Sequence, residues 1–193
     1  MSLGMSKAYG PTPGLAEKQS QQVFRALVRA LSYPGRLESF PARSLRQAFR
    51  LIGLTLVDGN VGVWAPSWLL SDLRGQDPRP VALEAADFVF AEQLESLPAG
   101  PDSLLALKRG THLEPEAGAT LILGAPLGRG SPVLLRGPGI AGEIQLAVGL
   151  PSLFWQLRSQ ILAYPLGVDI LLTDGPQVVG LPRSVEVGGW AMS

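Results

Sequence analysis

The sequence predicts a single α/β domain, a three-layer α/β/α sandwich in which a mixed sheet carries helices on both faces. Three observations predict it. Segments with apolar residues at three- and four-residue spacing alternate with short apolar runs bounded by Gly, Pro or Asp. No internal repeat or low-complexity tract divides the chain. Its 193 residues, 46% of them apolar, suffice for one core without disulfide or metal staples. The expected domain covers residues 15–185, between an N-terminal segment, 1–14, and a C-terminal tail, 186–193.

Val23, Leu27, Ala30 and Leu31 share one face of a helix expected over residues 15–31, which Pro34-Gly35 stops. Leu45, Ala48, Phe49, Ile52 and Leu56 define a second helix, with Ser44 as its cap and an end near Gly59-Asn60. Residues 61–65, 86–91, 119–123 and 133–135 are short apolar runs and therefore strands. In 143–148, Ile144, Leu146 and Val148 occupy every second position, so this strand has one inward face and pairs naturally with 133–135. Residues 151–164 read as a helix closed by Pro165, and 168–173 with 177–181 form a hairpin across Asp174-Gly175-Pro176. The Pro/Gly-rich segment 124–131 is expected to be a flexible connecting loop.

Sixteen basic and sixteen acidic residues cancel, so no overall field draws the chain to nucleic acid or an anionic membrane. Without cysteine there is no thiolate nucleophile, disulfide or iron-sulfur ligand. The start has no secretory pattern and no stretch is apolar enough to span a membrane, so a cytoplasmic location is expected. Residues 1–4, ahead of a second methionine at Met5, look like an expression scar.

Gly137-Pro138-Gly139-Ile140-Ala141-Gly142 has dinucleotide-motif spacing, but an alternating strand follows it instead of a helix, which marks a strand-to-strand loop. Residues 124–130 lack the Gly-Lys-Ser/Thr ending of a phosphate loop. His112 is the single histidine, and a solvated turn explains Glu114 and Glu116 better than a hard-cation site, so no metal is expected. Lys7, Lys18 and Lys108 are the only lysines, and Lys108 is placed at a helix end, capping carbonyls; a Schiff-base cofactor is not expected.

Arg25, Arg36 and Arg183 are the candidate anion contacts, because guanidinium grips phosphate or phosphonate oxygens in a fixed fork. Asp58 and Asp169 are their possible carboxylate partners, and ordinary ion pairing is the competing role. An independent acid/base enzyme acting on a small phosphorylated molecule would draw on Asp58, Asp169, Glu114 or Glu116. Trp64, Trp68, Trp155 and Trp190 are candidates for core packing or for an interface.

Phe24-Arg25-Ala26-Leu27 leads to Ser32-Tyr33-Pro34-Gly35, then to Gly110-Thr111, Glu114-Pro115-Glu116 and Gly118-Ala119-Thr120. Gly137-Pro138-Gly139-Ile140, Pro165-Leu166-Gly167-Val168-Asp169 and Leu181-Pro182-Arg183-Ser184 follow. In this order, over residues 20–185, the chain resembles the phosphonate-metabolism H proteins of the bacterial carbon-phosphorus lyase system. The resemblance implies a subunit working with G, I and J partners to form a ribose 1-phosphonate 5-triphosphate from ATP and an alkylphosphonate. Carbon-phosphorus cleavage would belong to the J subunit. It also implies a dimer when isolated, and a fold like the large domain of pyridoxal phosphate transferases without that cofactor.

Overall fold

The computed structural model describes residues 17–190; the segment 1–14 and Lys7 lie outside them. Helix α1, Glu17–Ser32, buries Val23, Ala26, Leu27 and Ala30, the expected face. Helix α2, Leu45–Leu56, begins as anticipated at Ser44, whose hydroxyl accepts the Gln47 N–H at 3.2 Å. The main sheet has seven strands: β1 Glu38–Ser39, β2 Gly62–Trp64, β3 Arg79–Pro80, β4 Phe88–Ala91, β5 Thr120–Gly124, β8 Asp169–Asp174 and β9 Gln177–Leu181. Their order is β1-β9-β8-β5-β4-β2-β3. From β3 to β8 neighbours run parallel, whereas β9 returns against β8 and β1 against β9, which makes the sheet mixed. The expected hairpin is present: Asp174 lies opposite Gln177 across Gly175, whose φ of +60° suits glycine.

Alternation along the central strands divides the core in two. Phe90, Ile122, Leu171 and Val178 pack with α1, α2 and a short helix α3, Ser67–Asp72. Val89, Leu121, Leu123, Ile170, Leu172 and Val179 face the other way, toward helix α4, Ser152–Ile161. That second face differs from expectation. It is also covered by a separate three-stranded antiparallel sheet in the order β10-β6-β7, built from β6 Leu127–Arg136, β7 Ile144–Val148 and β10 Glu186–Gly188. The foreseen pairing is there, with Val133 opposite Leu146 and Leu135 opposite Ile144, but it belongs to this smaller sheet.

Two expected element bounds are also corrected. Residues 127–131, placed in a flexible loop, are the irregular first half of β6, where Gly128 and Gly130 take positive φ and the register shifts before Pro132. Helix α4 stops at Ile161, short of Pro165, because Ala163 and Leu166 bond each other across a tight turn. Beyond residue 185, Glu186–Gly188 pairs along β6 from Arg136 to Leu134.

Close backbone approach fixes α1 on the sheet: a Cβ at Gly180 would run into the Ala30 carbonyl. We expect Gly180→Ala to force α1 off β9 and to cost about 2 kcal/mol, read from urea unfolding at an unchanged m-value.

Asp87 ties the start of β4 to its neighbours. Its carboxylate accepts the Gly62 N–H at 2.6 Å and meets Lys108 Nζ at 2.5 Å, so Lys108, which does follow a helical turn ending at Ala106, gives its charge to Asp87 and not to helix carbonyls. Partial burial raises the Asp87 pKa, but the Lys108 hydrogen bond, the Gly62 N–H and the charges of Lys108 and Arg79 outweigh it and hold the carboxyl below its ordinary 3.8. The folded state therefore releases this proton more readily than the unfolded chain. Its stabilisation is complete above that ordinary value and is lost as pH falls through the lower folded one. Asp87→Asn should be less stable at neutral pH and lose less on acidification below about pH 4, measured by chemical denaturation along a pH series.

Candidate functional site

Antiparallel pairing sets Ile170 opposite Leu181, so Asp169 at the start of β8 and Arg183 just past β9 come out side by side. Asp169 Oδ1 accepts the Arg183 backbone N–H at 2.8 Å, Nε lies 3.2 Å from both carboxylate oxygens, and Nη2 meets Oδ2 at 2.6 Å. The third guanidinium nitrogen, Nη1, donates to the Pro115 carbonyl. Gly118 makes room for it, since a Cβ there would fall 2.7 Å from Nη1. The Gly167 N–H donates to the Arg109 carbonyl at 3.0 Å. The partly buried ion pair and these backbone contacts together tie the turn before β8, the turn after β9 and the segment 109–118 to one another.

Behind it lies Arg158, which the sequence reading did not single out. It is 2% exposed, on the inward face of α4 between Phe154 and Ile161. Its Nη1 donates to Val185 O at 3.1 Å and its Nη2 to Pro182 O at 3.0 Å, while Nε has no partner. Burial pushes its pKa down to about 10, opposed by the Asp169 charge, and it remains cationic at neutral pH. The detectable signal was positional: an arginine four residues after Phe154 and three before Ile161 must share their buried face.

Arg158 and Arg183 line a cavity of about 430 Å³ between α4 and the arm that ends in β10. Trp155, Leu162 and Trp190 supply apolar wall, and Tyr164, 76% exposed, stands at the rim. Arg158 and Arg183 share the Asp169 carboxylate behind this wall, and the exposed Glu186 lines the same cavity, so its charged groups are of both signs.

The other candidates are dispersed. Arg25 is exposed on α1 and lines an open groove beside β1. Arg36 is exposed and stacks over the Tyr33 ring at 5.1 Å. Asp58, exposed after α2, accepts the Asn60 N–H at 2.8 Å. Among the described residues no ion pair joins Asp58 to the three arginines; of the proposed pairs, only Asp169 with Arg183 is assembled. His112, Glu114 and Glu116 are exposed, and no group of three metal-ligating side chains occurs among the described residues. The glycines at 137–142 join β6 to β7, a strand-to-strand loop as expected. Trp155 is buried and Trp64, Trp68 and Trp190 are partly so; Trp68 stacks on Phe49 and carries the Arg46 guanidinium over its ring, 4.5 Å from the centroid.

A sequence model of the family described as "Bacterial phosphonate metabolism protein (PhnH)" matches residues 14–188. The chain belongs to this family. A relative from Stutzerimonas stutzeri, named "Putative C-P lyase subunit protein HtxG", is 37% identical over 174 residues, covering 88% of this chain and 86% of the relative. Another, from Rhizobium meliloti (strain 1021), is named "Alpha-D-ribose 1-methylphosphonate 5-triphosphate synthase subunit PhnH". It is 31% identical over 193 residues, covering 88% and 90% of the two chains. The family match spans the whole clamp, from Arg109 through Arg158 to Val185. No helix among the described residues is long and apolar enough to cross a membrane.

Asp169 is the counter-charge for both guanidiniums, so its removal leaves partly buried positive charge without compensation. We expect Asp169→Asn to cost about 2 kcal/mol, discounted for its partial exposure, and Asp58→Asn to stay within about 0.5 kcal/mol, both from urea unfolding.

Proposed function

We propose that this chain is a subunit of a carbon-phosphorus lyase assembly in organic phosphonate catabolism. One observation carries the reading: end-to-end likeness to relatives named as subunits, covering 86% and 90% of their lengths. The reaction it would support is formation of α-D-ribose 1-alkylphosphonate 5-triphosphate from ATP and an alkylphosphonate, a transferase step carried out with G, I and J partners. The chain would act in the cytoplasm and form a homodimer when isolated. In layer arrangement it would match the large domain of pyridoxal phosphate transferases, with Lys108, committed to Asp87, not serving a Schiff base.

The geometry supports a supporting role better than independent catalysis. Asp169, the best-placed carboxylate, is held by Arg183 and is poorly available as a proton acceptor, while Asp58, Glu114 and Glu116 stand exposed in turns. A role in holding a phosphorylated molecule would fall to Arg183, the one candidate arginine on a cavity wall that also carries a buried arginine, with Arg25 and Arg36 at more open positions.

The test is copurification of a tagged copy with the G, I and J proteins of its source organism, followed by native mass spectrometry. A stoichiometric complex is the expected result. A lone chain beside well-folded partners would overturn the subunit reading.

A further inference from the structure

Charge is unevenly spread along this neutral chain. Across residues 17–72, which hold α1, β1, α2 and α3, Arg25, Arg29, Arg36, Arg43, Arg46 and Arg50 stand against Glu38, Asp58 and Asp72, while Glu17 and Lys18 cancel. The remainder is correspondingly acidic. Glu38 is answered by Arg29 and Asp72 by Arg50. Arg25 and Arg43 are exposed, and Arg36 and Arg46 lie over the Tyr33 and Trp68 rings. None of these four pairs with a carboxylate among the described residues. Asp58 stands past the far end of α2, about 18 Å from its start at about 1.5 Å per residue.

Fold stability does not account for this arrangement. Helix α2 has no acid in its first turn, where the helix dipole favours one, and carries Arg46 there with Arg43 just ahead of the Ser44 cap. Helices α1 and α2 pack side by side on one face of the main sheet, so their outer sides form one surface. Part of that surface is apolar. Phe24, Val28, Tyr33 and Leu37 are four of the eight large apolar side chains exposed among the described residues. Val28 follows Phe24 by one turn, on the flank of α1 away from the groove that Arg25 and Arg29 line.

Resting on the subunit reading, we infer that the outer face of α1 and α2 docks against an acidic surface of another subunit of the assembly. Carboxylates meet Arg43 and Arg46 at the start of α2, where the helix dipole adds to both charges, and apolar side chains cover Phe24 and Val28. Two turns of α1 separate Arg25 from Arg36, so the charge is extended, as a protein surface requires. A second copy presenting the same face would set like charges together. Nucleic acid would leave the apolar side chains bare. A membrane-bound helix turns its broad apolar face outward, whereas α1 turns Val23, Ala26, Leu27 and Ala30 onto the sheet.

Arg43 and Arg46 lie outside the anion candidates, and an acid suits the first turn of a helix, so reversing them tests the face while keeping the fold. In binding titrations of purified chain against the copurified G, I and J proteins, the double variant Arg43→Glu, Arg46→Glu should weaken association roughly tenfold at low salt, and less as salt rises. Phe24→Ser should weaken it about as much at every salt concentration. Arg74→Glu, an exposed reversal beyond α3, should change it by less than about twofold. Thermal melts of each variant separate these effects from loss of fold. Association unchanged in the folded double variant and in Phe24→Ser, or weakened equally by Arg74→Glu, overturns the inference while the subunit reading stands. So does binding to anionic phospholipid vesicles or duplex DNA that the double reversal abolishes while association with the partner proteins is intact. A wild-type chain that stays apart from well-folded partners removes the subunit reading and this surface with it.

Discussion

The Asp169 carboxylate is the point on which the described structure turns. It sits at the mouth of the central parallel strands, where β8 begins, and takes the Arg183 backbone N–H as well as its side chain. That fixes the direction in which the chain leaves β9. From there Pro182 and Val185 present their carbonyls to Arg158 on α4, and the chain can run on into β10 and complete the smaller sheet. A single side chain thus relates the main sheet, helix α4 and the antiparallel ribbon. An apolar contact of similar area would be stabilising but non-directional, and would not dictate the exit path.

The opposite face is held by different means. There α1 lies so close to β9 that Gly180 and the Ala30 carbonyl leave no space for a side chain, and Gly139 brings the β6–β7 loop against Ser32 O in the same manner. These contacts join the helix-covered face to the smaller sheet across the end of α1. The two faces are therefore coupled through backbone proximity as well as through apolar packing. Small residues at those positions are requirements of shape, which a hydrophobic pattern does not reveal.

This difference explains how much was readable in advance. The helices α1 and α2, the central strands and the β8–β9 hairpin follow from periodicity and from strong local signals such as Ser44 and Asp174-Gly175-Pro176, all effects of near neighbours. The second sheet was half visible: alternation gave the pairing of β7 with β6, but nothing local tells a strand which sheet to join. The irregular start of β6 was misread because glycine and proline there fit a loop equally well, and only pairing with Val148 and the next turn decides otherwise. At the site, Asp169 and Arg183 were recognisable as a possible pair, whereas Arg25, Arg36 and Asp58 were separated by tertiary geometry. Arg158 escaped because an arginine is expected in water, although helix periodicity sets it on the buried face of α4.

That buried arginine also bears on how the molecule works. Desolvating a guanidinium is costly, and its bonds to two carbonyls and the nearby Asp169 offset only part of that cost, since one donor stays unpaired. For stability alone, an apolar residue between Phe154 and Ile161 would serve the α4 interface at least as well. What an apolar residue would not supply is the direction of the clasp on residues 182–185. That direction organises the arm that carries β10 and lets it complete the smaller sheet.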